Sequence, residues 1–575
     1  MIQLRDFQFD AVYDVRNRWA RGDQVVMPVL PVGTGKTVVF SYVISQHNGA
    51  SCAIAHRQEL VAQMSVALAR FGVRHRIIGP KSLIKFIVRL HQRECGASFF
   101  DAGSPKAVAG VDTLLRQAAR LKEWLRQVTL WITDEGHHLL RENKWGRACE
   151  LFPDAQGMPV TATPERADGK GLGRAADGIV DSLVEGPSLR DMIDLGWLTD
   201  YQIYAPPSDL QVTDDMIGAT GDYSQPKLTQ AARKSHIVGD TVDHYRRLAL
   251  GRRGVTFATD VETALNLAAQ YAAAGVPAQC VSAKTEDAIR AQATQDLRDA
   301  RVLQLTNVDL FGEGYDLPAI DCVSMARPTA SFPLFVQQAG RALRPLYAKG
   351  MPLDTPEQRR AAIAAGPKPF ATIIDHVQNV RRHAVARHCK RTGELIIDIC
   401  YREWSLEGRQ KRSRGKTDPD AEPLTNCLNP ECLKPYSRFS PSCPYCGHRP
   451  EPGSRSAPEF VEGDLDLLDP AALHTLVAEK DRIAGPARIP QNVTPIVARA
   501  IGNKHLERQQ AQARLRETID LWAGYQRAWD RPDSQSYRRF WHTFGVDVLT
   551  AQTQSAREMD ELRVRIESEI ARWVS

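Results

Sequence analysis

The chain has 575 residues, 43% hydrophobic and 25% charged, a balance usual for folded globular proteins and a length too great for one core. Its net charge of +6 is too small at this length to announce nucleic acid by itself, and no run approaches the roughly 18 apolar residues of a membrane span. Eleven cysteines and an opening MIQLRDFQFD without a signal peptide's apolar core argue against a secreted disulfide framework and lead us to expect a cytoplasmic protein.

From residue 1 to 200, short apolar runs such as QVVMPVL, SCAIAH, KAVAGV, LWITDE and GMPVTAT alternate with longer amphipathic stretches, the rhythm of strand–helix–strand units around a parallel sheet. A second set, residues 201–378, repeats that rhythm with GVTFAT, PAQCVSA, RVLQLTNV, DCVSMARP and FATIIDH. Residues 379–420 are basic and read as a solvated linker, 421–450 hold a compact cysteine segment, and 451–465 read as another linker. Residues 466–575 carry apolar positions at three and four spacing and read as helical.

Two segments carry chemistry. The strand QVVMPVL runs into PVGTGKTVVF, which places Gly33, Thr34 and Gly35 in a tight loop and Lys36 and Thr37 at a helix start. Such a loop aims backbone N–H groups at phosphates, a lysine there reaches the β and γ phosphates, and the Thr37 hydroxyl suits Mg²⁺. The strand LWIT then ends in Asp134, Glu135, Gly136 and His137. We expect Asp134 to hold the metal and Glu135 to polarise the attacking water.

With these two in hand, the rest of residues 1 to 378 resembles helicase superfamily 2. LRDFQ resembles the Q motif, which implies that Gln8 reads adenine, with Arg5 and Phe7 flanking the base, and hence a preference for ATP. AHRQEL and GVDTLLR resemble first-lobe motifs that contact the nucleic-acid backbone, with Arg57 and Thr113 as the contacting residues. TATP, residues 161–164, resembles motif III, which links nucleotide state to strand binding. TNVDLFGEGYDLP resembles motif V, implying a phosphate contact by Thr306 and approach to the nucleotide by Gly314 and Asp316. QQAGRALR resembles motif VI, in which Gln337, Gly340, Arg341 and Arg344 fit QxxGRxxR. An arginine inserted from the opposite lobe would stabilise charge on the γ-phosphoryl group, with a structural ion pair as the alternative use of one of them. The wording DEGH, TATPERADGKG and QQAGRALRP resembles the RadD-like and prophage-borne DEAD/DEAH-type DNA helicases and the XPB-like branch. The resemblance implies an α/β chain of two tandem RecA-like lobes that hydrolyses ATP with Mg²⁺ to unwind or remodel branched DNA in repair, recombination or phage replication. The alternatives are a double-strand translocase serving a nuclease or restriction partner, an RNA helicase, and a DNA-binding adaptor with a vestigial ATPase.

Cys427-x4-Cys432 and Cys443-x2-Cys446 offer four thiolates around a short loop, the donor set of tetrahedral Zn²⁺ in a zinc-ribbon-like knuckle. Free thiols and an iron–sulfur site are the alternatives, and His448 is a substitute ligand or a surface turn residue. Lys434, Arg438 and Arg449 with Tyr436, Phe439 and Tyr445 suit either a DNA grip or a structural clip, and the basic runs 381–387 and 409–416 either DNA contact or a solvated linker. The Trp and Phe residues of the tail are read as core.

Overall fold

The computed structural model describes residues 3–308, 320–408, 422–449, 470–489, 495–528 and 539–574, except 209, 211, 219, 234, 236, 283, 284, 390, 488 and 542. The chain divides into two units, Met1–Glu451 and Pro452–Ser575.

The first unit holds two parallel sheets. In the first lobe, β1 (Val26–Val29), β2 (Ala50–Ala55), β3 (Arg76–Ile78), β4 (Lys106–Gly110), β5 (Val128–Asp134), β6 (Gln156–Val160) and β7 (Ser182–Glu185) are short and rich in small and β-branched residues. Five of them run in the order β3-β4-β2-β5-β6. The strand β1 pairs with β7 and reaches β6 through parallel bridges at Val25–Gly157 and Val29–Thr161. Every residue of β1 and β2 is buried, as strands covered on both faces require. The covering helix Gln58–Arg70 buries Leu60, Val61, Met64 and Leu68, a three-to-four spacing that turns one stripe inward.

The second lobe contains β8 (Tyr201–Tyr204), β9 (Gly254–Phe257), β10 (Ala278–Val281), β11 (Gln304–Asn307), β12 (Cys322–Met325) and β13 (Ala371–Asp375). They form one sheet in the order β10-β11-β9-β12-β13-β8, all parallel. In the first lobe the sequence motifs stand at the carboxyl ends of β1, β2, β4, β5 and β6, the usual place for ligands in open α/β sheets.

The stretch expected as a linker from residue 379 is partly folded. A helix spans Asn379–His383, and β14 (Val385–His388) pairs antiparallel with β15 (Leu395–Asp398). Arg387 Nε donates to Asp398 Oδ2 at 2.7 Å with both residues buried, so this member of the basic run is spent on an internal ion pair. Arg381 and Arg382 remain exposed, and Arg382 pairs with Asp214; the run 409–416 lies outside the described residues. The cysteine segment follows as β16 (Leu424–Asn426) antiparallel to β17 (Pro435–Ser437). It is fastened to the second lobe, where the Ala205 N–H, just past β8, donates to the Leu433 carbonyl at 2.8 Å.

The second unit is helical, with helices Pro470–Ala484, Pro495–Ala528, Val548–Ala551 and Ala556–Val574. Ala511, Leu515, Ile519 and Trp522 form an inward stripe against Phe540, Phe544, Met559, Leu562 and Ile566. Trp522 and the two phenylalanines are therefore core, whereas Trp541 is 52% exposed. Among the described residues no helix is long and apolar enough to cross a membrane.

Candidate functional site

Beyond β1 the chain turns back on itself before the helix Lys36–Gln46 begins. Gly33 and Gly35 make the turn at φ +81° and +84°, the left-handed region in which a Cβ is strained. No side chain caps this helix, so its first N–H groups stay available to an anion. The Thr34 hydroxyl donates to the Pro31 carbonyl at 2.7 Å and braces the loop from within. Lys36 Nζ lies 3.5 Å from the Leu30 carbonyl, and Thr37 sits half-buried at the second helical position.

Asp134 is the last residue of β5, and Glu135 follows at φ +51°, a left-handed conformation that costs of order 1 kcal/mol or more for a residue with a Cβ. The Glu135 N–H donates to Asp134 Oδ1 at 3.0 Å. Glu135 Oε2 receives Gln337 Nε2 at 3.3 Å and lies 3.4 Å from His137 Nδ1. The same imidazole nitrogen stands 3.2 Å from the Thr161 hydroxyl, so TATP, DEGH and QxxGRxxR meet in one chain of contacts. Burial draws the Lys36 ammonium below the ordinary lysine range; Glu135 and Asp134 oppose that shift, and Arg341 and Arg344 reinforce it. Two acids, one lysine and two arginines thus share one electrostatic neighbourhood, although they come from both lobes.

The lobes touch through Gly340. A Cβ placed there would stand 2.1 Å from Val32 Cγ2, so the helix carrying QQAGR lies directly on the phosphate loop. The Thr199 N–H donates to the Leu343 carbonyl at 2.8 Å, which ties the connection between the lobes to the same segment. Burial pushes the Arg344 guanidinium down to about 10, the direction in which desolvation moves a cation.

At the amino end, Gln8 is 3% exposed, receives the Arg5 N–H on Oε1 at 3.1 Å and donates from Nε2 to the Thr34 carbonyl at 2.8 Å. Phe7 does not flank an open site: it is 6% exposed and belongs to the hydrophobic core, because it lies on the inward face of its helix with Ala11, Val12 and Val15. The aromatic beside Arg5 is Trp197, with the Arg5 guanidinium 4.0 Å from its ring centre and that of Arg359 3.9 Å away. The sequence singles out neither Trp197 nor Arg359, since each stands alone in its segment with no spacing to a partner.

In the cysteine segment, the ligand sulfurs of Cys427, Cys432, Cys443 and Cys446 all lie within 4.8 Å of one another, a cluster that can hold one metal ion. The Cys443 N–H donates to the His448 backbone carbonyl, and His448 is outside the cluster. Tyr436 is 2% exposed and packs against the cysteines, so its face is closed to any base, whereas Phe439 and Tyr445 are 72% and 48% exposed.

Residues 1–166 match the family model "Type III restriction enzyme, res subunit", and residues 239–345 match "Helicase conserved C-terminal domain". Both matched segments are domains of helicases, and with the relatives below they support a superfamily 2 helicase. This helicase is 28% identical over 442 residues to a 51.5 kDa protein of Lactococcus phage (isolate 7-9), covering 76% of this chain and 81% of that one. It is 28% identical over 370 residues to IRC3 of Saccharomyces cerevisiae, named as an ATP-dependent helicase, covering 60% of this chain and half of that one. A shorter match, 27% identical over 172 residues, is to the DNA 3'-5' translocase XPB2 of Sulfurisphaera tokodaii, 29% of this chain and 33% of that one.

The expected strand contacts of the helicase fare unevenly. Arg57 is half-buried at the start of the helix Gln58–Arg70, and Thr113, half-buried, accepts from Arg116 Nη2 at 3.2 Å. Thr306 does not face a groove: it is fully buried on β11 and donates to the Ala264 carbonyl at 2.7 Å, because both faces of this interior strand are covered. Gly314 and Asp316 lie outside the described residues. A contact that no motif foretold joins the lobes beside Arg57, where Glu59 pairs with Arg290 at 3.1 Å.

Proposed function

We propose that the chain is an ATP-driven DNA motor in which residues 1–200 and 201–378 are the two moving bodies. The observation that carries this reading is Gln337 of the second lobe reaching Glu135 of the first at 3.3 Å while Gly340 lies on the phosphate loop. The loop amides of Gly33, Thr34 and Gly35 and the Lys36 ammonium hold the phosphates. Thr37 and Asp134 offer the hard oxygen donors that Mg²⁺ takes, and the ion when bound neutralises phosphate charge. Glu135 accepts a proton from the attacking water, and Gln337 keeps that carboxylate aimed. Arg341 and Arg344 meet the charge developing on the γ-phosphoryl oxygens, an effect of about 10³ to 10⁵ in rate. Gly314 and Asp316 remain candidates for nucleotide contact on resemblance alone. Hydrolysis therefore needs both lobes, and their relative movement becomes a step along a strand held by Arg57 and Thr113.

DNA is favoured over RNA by the name of the XPB2 relative, and a role in repair, recombination or phage replication rests on the motif resemblance. A second reading, a double-strand translocase serving a nuclease or restriction partner, rests on the restriction-enzyme family model that residues 1–166 match. The metal of the knuckle is zinc in our reading: Cys427–Cys446 and Cys432–Cys443 sulfur separations of 3.6 and 3.7 Å are close to the roughly 3.8 Å edge of a tetrahedron with 2.3 Å Zn–S bonds. The decisive experiment measures ATPase rates with no nucleic acid, single strands, duplex, forks and RNA side by side. A motor on DNA shows strong stimulation by one or more DNA forms; equal rates throughout would overturn it, and duplex as the best activator would favour the second reading.

A further inference from the structure

The helix Lys81–Cys95 follows β3, the edge strand of the first lobe, and packs on the helix Gln58–Arg70. Leu83, Ile87 and His91 recur at every fourth position and are buried, so this side faces the lobe. Two positions before each stand Lys81, Lys85 and Arg89, all exposed. Two turns of about 100° carry them to the far side, in a row with steps of about 6 Å. This face opposes its own helix. Like charges four residues apart repel, and Lys81, at the first helical position, meets the positive end of the helix dipole with no acid in the first turn and no side-chain cap. The helix Ala556–Val574 uses the same spacing for attraction, pairing Arg557 with Glu561 at 2.8 Å and Arg563 with Glu567 at 2.5 Å. Among the described residues Lys81, Lys85 and Arg89 have no ion-pair partner, since the acid of this helix, Glu94, is held by Arg93 at 2.9 Å and Arg70 at 3.2 Å. A face that weakens its own helix in this way suits a ligand of opposite charge.

Its position says which ligand. The end of β3, from which the helix springs, adjoins Thr113: a Cβ on Gly110 would stand 3.8 Å from Thr113 Oγ1 and 4.0 Å from the Ile78 carbonyl oxygen. Because β3 and β4 are parallel, Lys81 begins the row at the same edge of the sheet as Thr113. We propose that Lys81, Lys85 and Arg89 form a phosphate-binding track that carries a DNA strand from Thr113 along the flank of the first lobe. The phosphates of one strand follow each other at a step comparable to that of the row, and each cation that meets one releases a counterion. The apolar side of the helix is packed inside the lobe, which leaves Phe86 as its one exposed large apolar side chain, too little for a lipid surface.

This inference rests on the DNA-motor reading, and its test separates the two. Dissociation constants for single-stranded, duplex and forked DNA are measured over a salt series with the full chain. The variants are Lys81→Gln, Lys85→Gln and Arg89→Gln together, Lys81→Arg with Lys85→Arg, and a charge-matched control, Arg16→Gln, Arg18→Gln and Arg21→Gln together, at an exposed end of the helix Asp6–Ala20. The first should raise Kd at least about tenfold near 0.1 M salt and make the slope of log K against log salt shallower by about two, as three lost phosphate contacts require. The arginine variant keeps the charge, and it and the control should stay within about threefold of the parent. The melting temperature of the first variant should hold or rise, since repulsion along the helix is relieved. Unchanged Kd and slope in that variant, an equal loss in the control, or a melting temperature that falls with the affinity overturns the track. Tighter binding of the parent to vesicles of anionic phospholipid than to DNA, lost in the first variant, would also overturn it. A parent protein that binds no form of DNA overturns the motor reading instead.

Discussion

Lys36 and Glu135 sit in one cluster but answer to different needs, and substitution should separate them. The positive form of Lys36 is supported by Glu135 and Asp134, so Lys36→Ala removes the ammonium that offsets both acids where phosphates must enter. ATP binding and turnover should both collapse, turnover by about a hundredfold or more, with the fold retained by circular dichroism. Glu135→Gln keeps the volume but removes the proton acceptor, so kcat should fall by roughly 10² to 10⁴ with KM for ATP little changed. A Glu135→Gln protein that loses ATP affinity as severely as Lys36→Ala would reverse these roles. Residues of this kind are legible in a sequence because phosphate and metal chemistry admits few side chains at fixed spacing. Phe7 and Thr306 are hard to read for the opposite reason: their types suit a ligand, but only packing decides which face of a helix or strand they occupy, and each is turned inward, while the burial of Tyr436 favours the structural clip of its two readings. Trp197 was invisible because its partners are set by the fold and not by spacing.

At the scale of elements, the first lobe contains a buried polar chain that fixes its own protonation. The Ser65 hydroxyl lies 2.6 Å from His75 Nε2 and 3.0 Å from His91 Nε2. His75 Nδ1 lies 2.9 Å from the Val73 carbonyl, which makes it the protonated nitrogen and leaves Nε2 to accept from Ser65. His91 Nδ1 accepts the Phe99 N–H at 3.3 Å, so its Nε2–H donates to the Ser65 oxygen. Every site is matched when both rings are neutral, and an added proton has no acceptor. Burial pulls His75 down to about 4 and also lowers His91. The sign follows: the unfolded chain binds these protons first, so the stability they support is complete above about pH 6.5 and falls as pH drops toward 4. His75 alone should cost the first lobe roughly 2 kcal/mol by pH 5. Thermal melting of the parent and of His75→Gln at pH 7.5 and 5 tests this; equal pH dependence in both would refute it.

The cysteine element should be metal-dependent for its shape, since its core consists of Cys427, Cys432, Cys443 and Tyr436. Elemental analysis should find about one zinc per chain, and Cys443→Ser with Cys446→Ser should release it and loosen β16 and β17 while ATP turnover persists. Iron, or no metal, would contradict the assignment. Paired cysteines made this element readable in advance, whereas β14 and β15 hid inside a basic stretch whose charges pair internally, as Arg387 does with Asp398.

Across the whole molecule, the proposed motor works by the joining of two lobes, each of which would carry half of the chemistry. The two parallel sheets were legible because alternating apolar runs and amphipathic stretches permit few other arrangements. What no pattern could give is how closely the lobes meet. That closeness is measured by Gly340, whose missing Cβ would stand 2.1 Å from Val32 Cγ2 and 2.8 Å from Val32 Cβ. A branched valine cannot swing aside as a long flexible side chain would, so Gly340→Ala must push the helix Phe332–Gly340 off the phosphate loop. Gln337 would then lose its 3.3 Å reach to Glu135, and the arginines that follow Gly340 would draw back with the same helix. The first lobe keeps its own phosphate loop and acids, so ATP binding should survive while nucleic-acid-stimulated kcat falls by about 10² or more, a fraction of the full arginine-finger effect. Val32→Ala in the same chain removes the obstructing methyls and leaves only the 2.8 Å approach of Val32 Cβ, so the double variant should recover part of the lost turnover, a coupling expected only between residues in contact. If Gly340→Ala alone leaves turnover intact, hydrolysis does not require the lobes to meet at this point. If Val32→Ala deepens the defect instead of relieving it, the obstruction lies elsewhere in the helix and the contact between motif and loop is not what sets the rate.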